Sequence, residues 1–229
     1  MLFRSRPGPG DLTGPAGRGT VVRIDPETHA ASEGSVSIVP LTAAAGSAAE
    51  IVTGRNASAL ALSPDGRHLV CANAGADTLT VIDTRTGAKV ETIWCKPSPA
   101  DLLGASPNAL AFDPSGRRLY AANGAQNAIA VIRFDPADRE SRLLGLIPVG
   151  WYPGALVLDS RRDTLAVGNL KGLAEQPQRA SGGAGTGFNS RQFSGSLTLT
   201  RVPADKELPA LSETRSEEHT SELQSPMYL

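Results

Sequence analysis

Apolar residues in this chain fall into short runs that either alternate with polar residues or continue unbroken. Alternation marks a strand with one covered face, and an unbroken run marks a strand covered on both. Ser58–Ser63 (SALALS), His68–Asn73 (HLVCAN), Thr78–Asp83 (TLTVID) and Lys89–Trp94 (KVETIW) are such runs. Between these runs lie Pro64-Asp65-Gly66-Arg67, Asn73-Ala74-Gly75-Ala76-Asp77 and Thr84-Arg85-Thr86-Gly87. Proline presets φ and glycine supplies positive φ, so such groups close tight hairpins. The stretch therefore predicts four short antiparallel strands, a to d, in one sheet.

The same grammar recurs. Asn56–Asp83 aligns without a gap on Ser106–Arg133, at a constant spacing of 50 residues that pairs Ala59 with Ala109, Gly66 with Gly116 and Asn73 with Asn123. A third copy begins at Tyr152, spaced by 46 residues from the second, and lacks the Pro-x-Gly turn. Gly34–Gly54 matches the c–d half of a unit, and Gly195–Leu211 reads as strand c followed by a candidate d. A four-stranded unit of about 45 residues is the size of one propeller blade. Strand length and the tight turn in each hairpin favour a propeller over a solenoid or stacked sandwich. The fold class expected is all-β: a partial β-propeller of about three and a half four-stranded blades in an open arc. The chain divides into an irregular segment at 1–18, the partial propeller at 19–214 with a loop insertion at 170–194, and a tail at 215–229.

Composition narrows the function classes. The formal net charge is −1 and no basic stripe with interleaved aromatics occurs, so nucleic-acid binding has no electrostatic support. No apolar run is long enough for a membrane span. The N-terminal MLFRSRPGPGDL has no apolar segment behind its basic residues and does not read as a signal peptide. Cys71 and Cys95 fit no zinc spacing; they fall on strands two apart in one blade, too distant for a disulfide, and read as free thiols.

The pattern around Tyr120-Ala121-Ala122-Asn123, with looser versions at Val70-Cys71-Ala72-Asn73 and Ala166-Val167-Gly168-Asn169, resembles the YVTN β-propeller repeat family. A narrower resemblance rests on Leu146–Pro153, the VGNLKGL stretch, Gly187-Phe188-Asn189-Ser190-Arg191 and GSLTLTRVP. These look like bacterial proteins that join such a propeller to a C-terminal phosphoesterase of the alkaline-phosphatase superfamily. That resemblance implies a periplasmic or secreted parent whose metal ligands and nucleophile lie in the C-terminal domain, so none is carried onto this chain. The last fifteen residues, RSEEHTSELQSPMYL, break the apolar pattern and resemble the conceptual translation of a sequencing-library adapter. On that reading the genuine sequence stops near Thr214, and Arg215–Leu229 is expected to pack against nothing. Without Arg215, Glu217, Glu218 and Glu222, Lys+Arg falls from 22 to 21 and Asp+Glu from 23 to 20, moving the net charge from −1 to +1.

In the propeller family the d–a connections and b–c loops emerge on one face, usually the functional one. That places Lys96–Ser106, Val149–Pro153 and the 170–194 insertion together. Trp151 and Tyr152 are candidates for an apolar platform, and Lys171 and Arg191 for contacts with an anion or acidic partner. The bland alternatives are a Trp151 packed between blades and solvated loop charges. The recurring Asn73, Asn123 and Asn169 read as structural: an asparagine after strand b bonds its own turn or accepts left-handed geometry. His68 reads as a surface residue. The glycine-rich 182–187 stretch lacks the lysine and the strand-to-helix setting of a phosphate loop. No catalytic set, cofactor site or metal site is assigned. The expected function is a non-catalytic binding or scaffold module of a larger protein, whose partner is an unidentified ligand or a C-terminal domain of the same parent. The alternative is a lactonase-type propeller enzyme with a central-channel site.

Overall fold

The computed structural model describes residues 10–15, 21–27, 29, 31–39, 49–98, 100, 104–171 and 194–223. Among these residues, fifteen strands form five antiparallel sheets. β1 (Thr13–Pro15) pairs with β2 (Val21–Arg23) in a small hairpin, so part of the stretch read as irregular is a short strand. β3 (Gly34–Ile38) and β4 (Ala49–Thr53) make the half-blade. The first blade is β5 (Ala57–Leu62), β6 (His68–Asn73), β7 (Thr78–Asp83) and β8 (Lys89–Trp94). The second is β9 (Pro107–Phe112), β10 (Arg118–Asn123), β11 (Ala128–Arg133) and β12 (Arg142–Pro148). The third has three strands, β13 (Pro153–Asp159), β14 (Thr164–Asn169) and β15 (Ser196–Arg201). Strands pair in sequence order within each blade, and the sheets do not close. The chain is a partial β-propeller.

The turns form as their residues dictate. In the first blade Ser63 Oγ donates to Asp65 Oδ1 at 2.6 Å, Arg67 N–H donates to the same oxygen at 3.0 Å, and Gly66 adopts φ +71°. These donors hold the Asp65 carboxyl below its ordinary range, Ser63 contributing most. The second blade exchanges the two roles: Ser115 Oγ donates to Asp113 Oδ2 at 2.6 Å, and Gly116 adopts φ +69°. S-P-D-G and D-P-S-G thus build the same turn.

The core lies between blades. Alternate residues of one strand serve opposite seams. Leu119 and Ala121 face the first blade's Val70, Leu79 and Val81, whereas Tyr120 and Ala122 face the third blade's Leu165 and Val167. Covering both faces of the b and c strands explains why Leu119–Ala122 and Ile129–Ile132 carry no charged residue on either face. Cys71 and Cys95 are buried free thiols, as the strand spacing implied. Burial pushes the Cys71 thiol up to about 11, and Cys95 rises further through burial and the nearby Asp77 charge. The outer face of the third blade exposes Val157, Leu197 and Leu199.

Three expectations need correction. After β15 no strand d forms; a 3-10 turn at Asp205–Glu207 leads into α1 (Leu208–Leu223). Pro203 and Pro209 have no backbone N–H to offer a sheet ladder, and Pro209 is tolerated in a helix's first turn. Nor does Arg215 pack against nothing. Leu208, Leu211, Ser212 and Arg215 form the covered stripe of α1. The helix lies on β12, where Leu146 N–H donates to Ser212 Oγ at 2.8 Å, and Arg215 Nε donates to the Gln126 carbonyl at 2.7 Å. Gly145 makes room for this contact: a Cβ there would meet Leu208 Cβ at 2.8 Å. His68 is half-buried rather than superficial, with its ring edge-on to Phe134 at 5.9 Å.

Candidate functional site

One end of the arc carries the d–a connections and b–c loops, which the repeat builds three times from the same backbone bonds. The residue before strand a is left-handed in every blade: Asn56 at φ 59°, Ser106 at 51° and Tyr152 at 56°. Its carbonyl accepts the N–H of Ala74, Gly124 or Leu170, respectively, at 2.9, 3.0 and 3.0 Å. The carbonyl one residue earlier, of Arg55, Ala105 or Trp151, accepts from Gly75, Ala125 or Lys171.

A second clasp joins neighbouring blades. Asp77 Oδ1 accepts from Ala105 N–H at 2.7 Å and Ser106 N–H at 3.0 Å across the first seam. Asn127 Oδ1 accepts from Tyr152 N–H at 2.9 Å across the second. Asp77 and Asn127 are themselves left-handed. Lys96, buried, lies 3.4 Å from Asp77 Oδ2 and 5.8 Å from the Trp94 ring. The sequence offered no sign of this buried ion pair, because Lys96 and Asp77 belong to different loops.

The clasp brings Trp151, Tyr152 and Lys171 together. The Lys171 ammonium stands 5.0 Å from the Trp151 ring centre and 5.8 Å from that of Tyr152, within cation–π range. Trp151 is 36% exposed, so it is not sealed between blades. The Tyr152 ring rests on Gly124, where an added Cβ would come within 3.0 Å of Cε1 and 2.2 Å of Asn108 Nδ2. Among the described residues no carboxylate pairs with Lys171. Arg191, the fourth candidate, lies outside the described residues, as does most of the insertion, glycine-rich stretch included.

The recurring asparagines do not converge on one point. Asn73 Nδ2 donates to the Thr78 and Thr80 hydroxyls at 3.1 and 2.9 Å, and Asn169 Nδ2 to those of Ser196 and Thr198 at 3.1 and 2.9 Å. Asn123 Nδ2 donates to the Cys95 carbonyl at 2.8 Å and to Gln126 Oε1 at 2.9 Å, stapling the first two blades. Only Asn123 bonds its own loop, through Gln126; Asn73 and Asn169 bond hydroxyls of the following strand instead, and none of the three is left-handed, a geometry that belongs to Asn56 and Asn127. Among the described residues no group of three His, Cys, Asp or Glu side chains could hold a metal ion. No helix among them is long and apolar enough to cross a membrane.

Comparison with known proteins agrees with the repeat architecture. Residues 20–148, more than half the chain, match the family described as lactonase, 7-bladed β-propeller. No curated protein matches the sequence. Among solved structures, hydrazine synthase of Kuenenia stuttgartiensis is 20% identical, with TM-score 0.49 over 62% of this chain and 40% of that one. A Lactobacillus plantarum protein is 24% identical, with TM-score 0.48 over 66% of this chain and 44% of that one. A Bacteroides fragilis protein assigned as a candidate 6-phosphogluconolactonase is 19% identical, with TM-score 0.40 over 47% of this chain and 30% of that one. The chain thus spans less than half the length of each. Its repeated blades and the match over residues 20–148 place it together: this chain belongs to the lactonase-type seven-bladed β-propeller family.

Proposed function

We propose that this chain is the propeller portion of a larger protein and that it binds a ligand on the loop face without itself performing catalysis. The observation that supports this reading is the cluster of Trp151, Tyr152 and Lys171, a cation over two aromatic rings on the face where the loops gather. Fold alone does not assign function, and a cluster of this kind is a recognition surface rather than a reacting one. The YVTN character of the repeats and a C-terminal phosphoesterase in the parent belong to the same reading, with Arg191 contributing a second cation. So does the division into an N-terminal segment, a propeller and a tail of adapter origin.

The test is a tryptophan-fluorescence titration with benzoate, a probe combining a flat ring and a carboxylate. Saturable quenching that is lost in Trp151→Phe and weakened in Lys171→Gln is expected; quenching that survives both would count against the site. A second reading, lactone hydrolysis in a central channel, draws on the family match. Hydrolysis of glucono-δ-lactone above the spontaneous rate by the purified chain would favour it over a binding role.

A further inference from the structure

The repeat supplies its own controls for the loop face. Three positions with equivalent backbone bonds carry Arg55, Asn56 and Gly75 in the first blade and Ala105, Ser106 and Ala125 in the second. The third blade carries Trp151, Tyr152 and Lys171 there. The scaffold therefore needs neither aromatic ring nor the cation at these places.

Tyr152 runs against the local preference. The left-handed region suits asparagine and small polar residues, as at Asn56 and Ser106, and is costly for a bulky side chain. The neighbouring blade accommodates the ring. The repeat places Ala74 in the first blade where the second has Gly124, and a Cβ at Gly124 would crowd both Tyr152 and Asn108. Asn127 then fixes the Tyr152 backbone. An unfavourable conformation held by its surroundings, at a position where a cheaper residue serves elsewhere in the same fold, is the pattern of a functional residue.

We propose that Tyr152 is a specificity-determining residue, seated by Gly124 and Asn127, for a small anionic ligand with a flat ring. The ring stacks on exposed Trp151 beside half-buried Tyr152, and the acidic group meets the Lys171 ammonium, which has no carboxylate partner among the described residues. This inference rests on the binding reading above.

The experiment compares the parent chain with Tyr152→Asn, which installs the residue of the first blade, by thermal melting and by titration with three probes. Benzoate carries ring and charge, acetate the charge alone, and benzyl alcohol the ring alone. The parent is expected to prefer benzoate over either control by at least about tenfold, equivalent to about 1.4 kcal/mol. Tyr152→Asn is expected to lose at least about fivefold in benzoate affinity while its Tm stays within about 2 °C of the parent or rises, a span of at most about 1 kcal/mol in a chain of this size. Gly124→Ala, which crowds the ring without removing it, should weaken benzoate in the same direction. A larger fall in Tm for Tyr152→Asn would make the ring a packing residue and overturn the inference, as would unchanged benzoate affinity. A parent that binds none of the probes would instead overturn the binding reading itself, and this inference with it.

Discussion

Asn123→Ala tests how the blades are joined. Asn123 is fully buried, and its amide donates across the seam to the Cys95 carbonyl at 2.8 Å and within its own loop to Gln126 Oε1 at 2.9 Å. A buried hydrogen bond contributes about 1 kcal/mol net, and an acceptor left bare in the interior costs about 1–3 kcal/mol. Gln126 can rotate toward another donor, but the Cys95 carbonyl is fixed by the backbone. Truncation also removes the Asn123 Oδ1, which accepts no bond, and this offsets part of the loss. The net expectation is a destabilisation of about 2–3 kcal/mol, or a fall in Tm of roughly 4–12 °C for a chain of this size. Asn73→Ala is the control: its amide bonds two threonine hydroxyls, which can reorient, so a smaller loss of about 1 kcal/mol is expected. Urea unfolding followed by circular dichroism measures both. Equal losses for the two variants, or an Asn123→Ala loss below about 1 kcal/mol, would refute the staple.

Leu197→Lys and Leu199→Lys, on an open face where the leucines are 67% and 66% exposed, should leave stability within about 0.5 kcal/mol and reduce self-association in sedimentation. Undiminished association would place the adhesive surface elsewhere. Arg215→Ala should cost about 1 kcal/mol through loss of its bond to Gln126, whereas deleting residues 217–229 should leave Tm unchanged; an indifferent Arg215→Ala would remove α1 docking from the account. The raised Cys71 and Cys95 thiols give a pH signature. Each stays neutral in the fold while the unfolded chain ionises near pH 8.5, so stability is full below that value and is lost as pH rises toward about 11 for Cys71. Cys71→Ala should flatten that decline in pH-dependent melts; an unchanged slope would show that another group titrates.

The blades were legible in the sequence because their signals are physical and repeated. Burial on both faces keeps charged residues out of Leu69–Asn73 and Thr78–Ile82, and the S-P-D-G and D-P-S-G turns demand the same geometry. The site was legible in part: loop order brought Trp151, Tyr152 and Lys171 into one neighbourhood. What remained hidden depends on tertiary context. A left-handed tyrosine contradicts local preference, and nothing near Gly124 in the sequence announces a ring arriving from the next blade. The Lys96–Asp77 pair joins two loops that only the seam brings close. α1 was missed because its covered stripe is sparse, Leu208 and Leu211 alternating with Ser212 and Arg215 amid polar residues.

The central claim is that the second seam of the loop face, and not the propeller surface at large, holds the ligand. The chain has two tryptophans, Trp94 on β8 and Trp151 in the site, and so two indole N–H resonances. Titrating benzoate into nitrogen-15-labelled protein while following both is the most direct measurement. A saturable shift of the Trp151 resonance with Trp94 unmoved, its midpoint raised at least about fivefold by Tyr152→Asn, is the predicted result. Parallel shifts of both indoles, or a Trp151 midpoint unchanged in Tyr152→Asn, would contradict it.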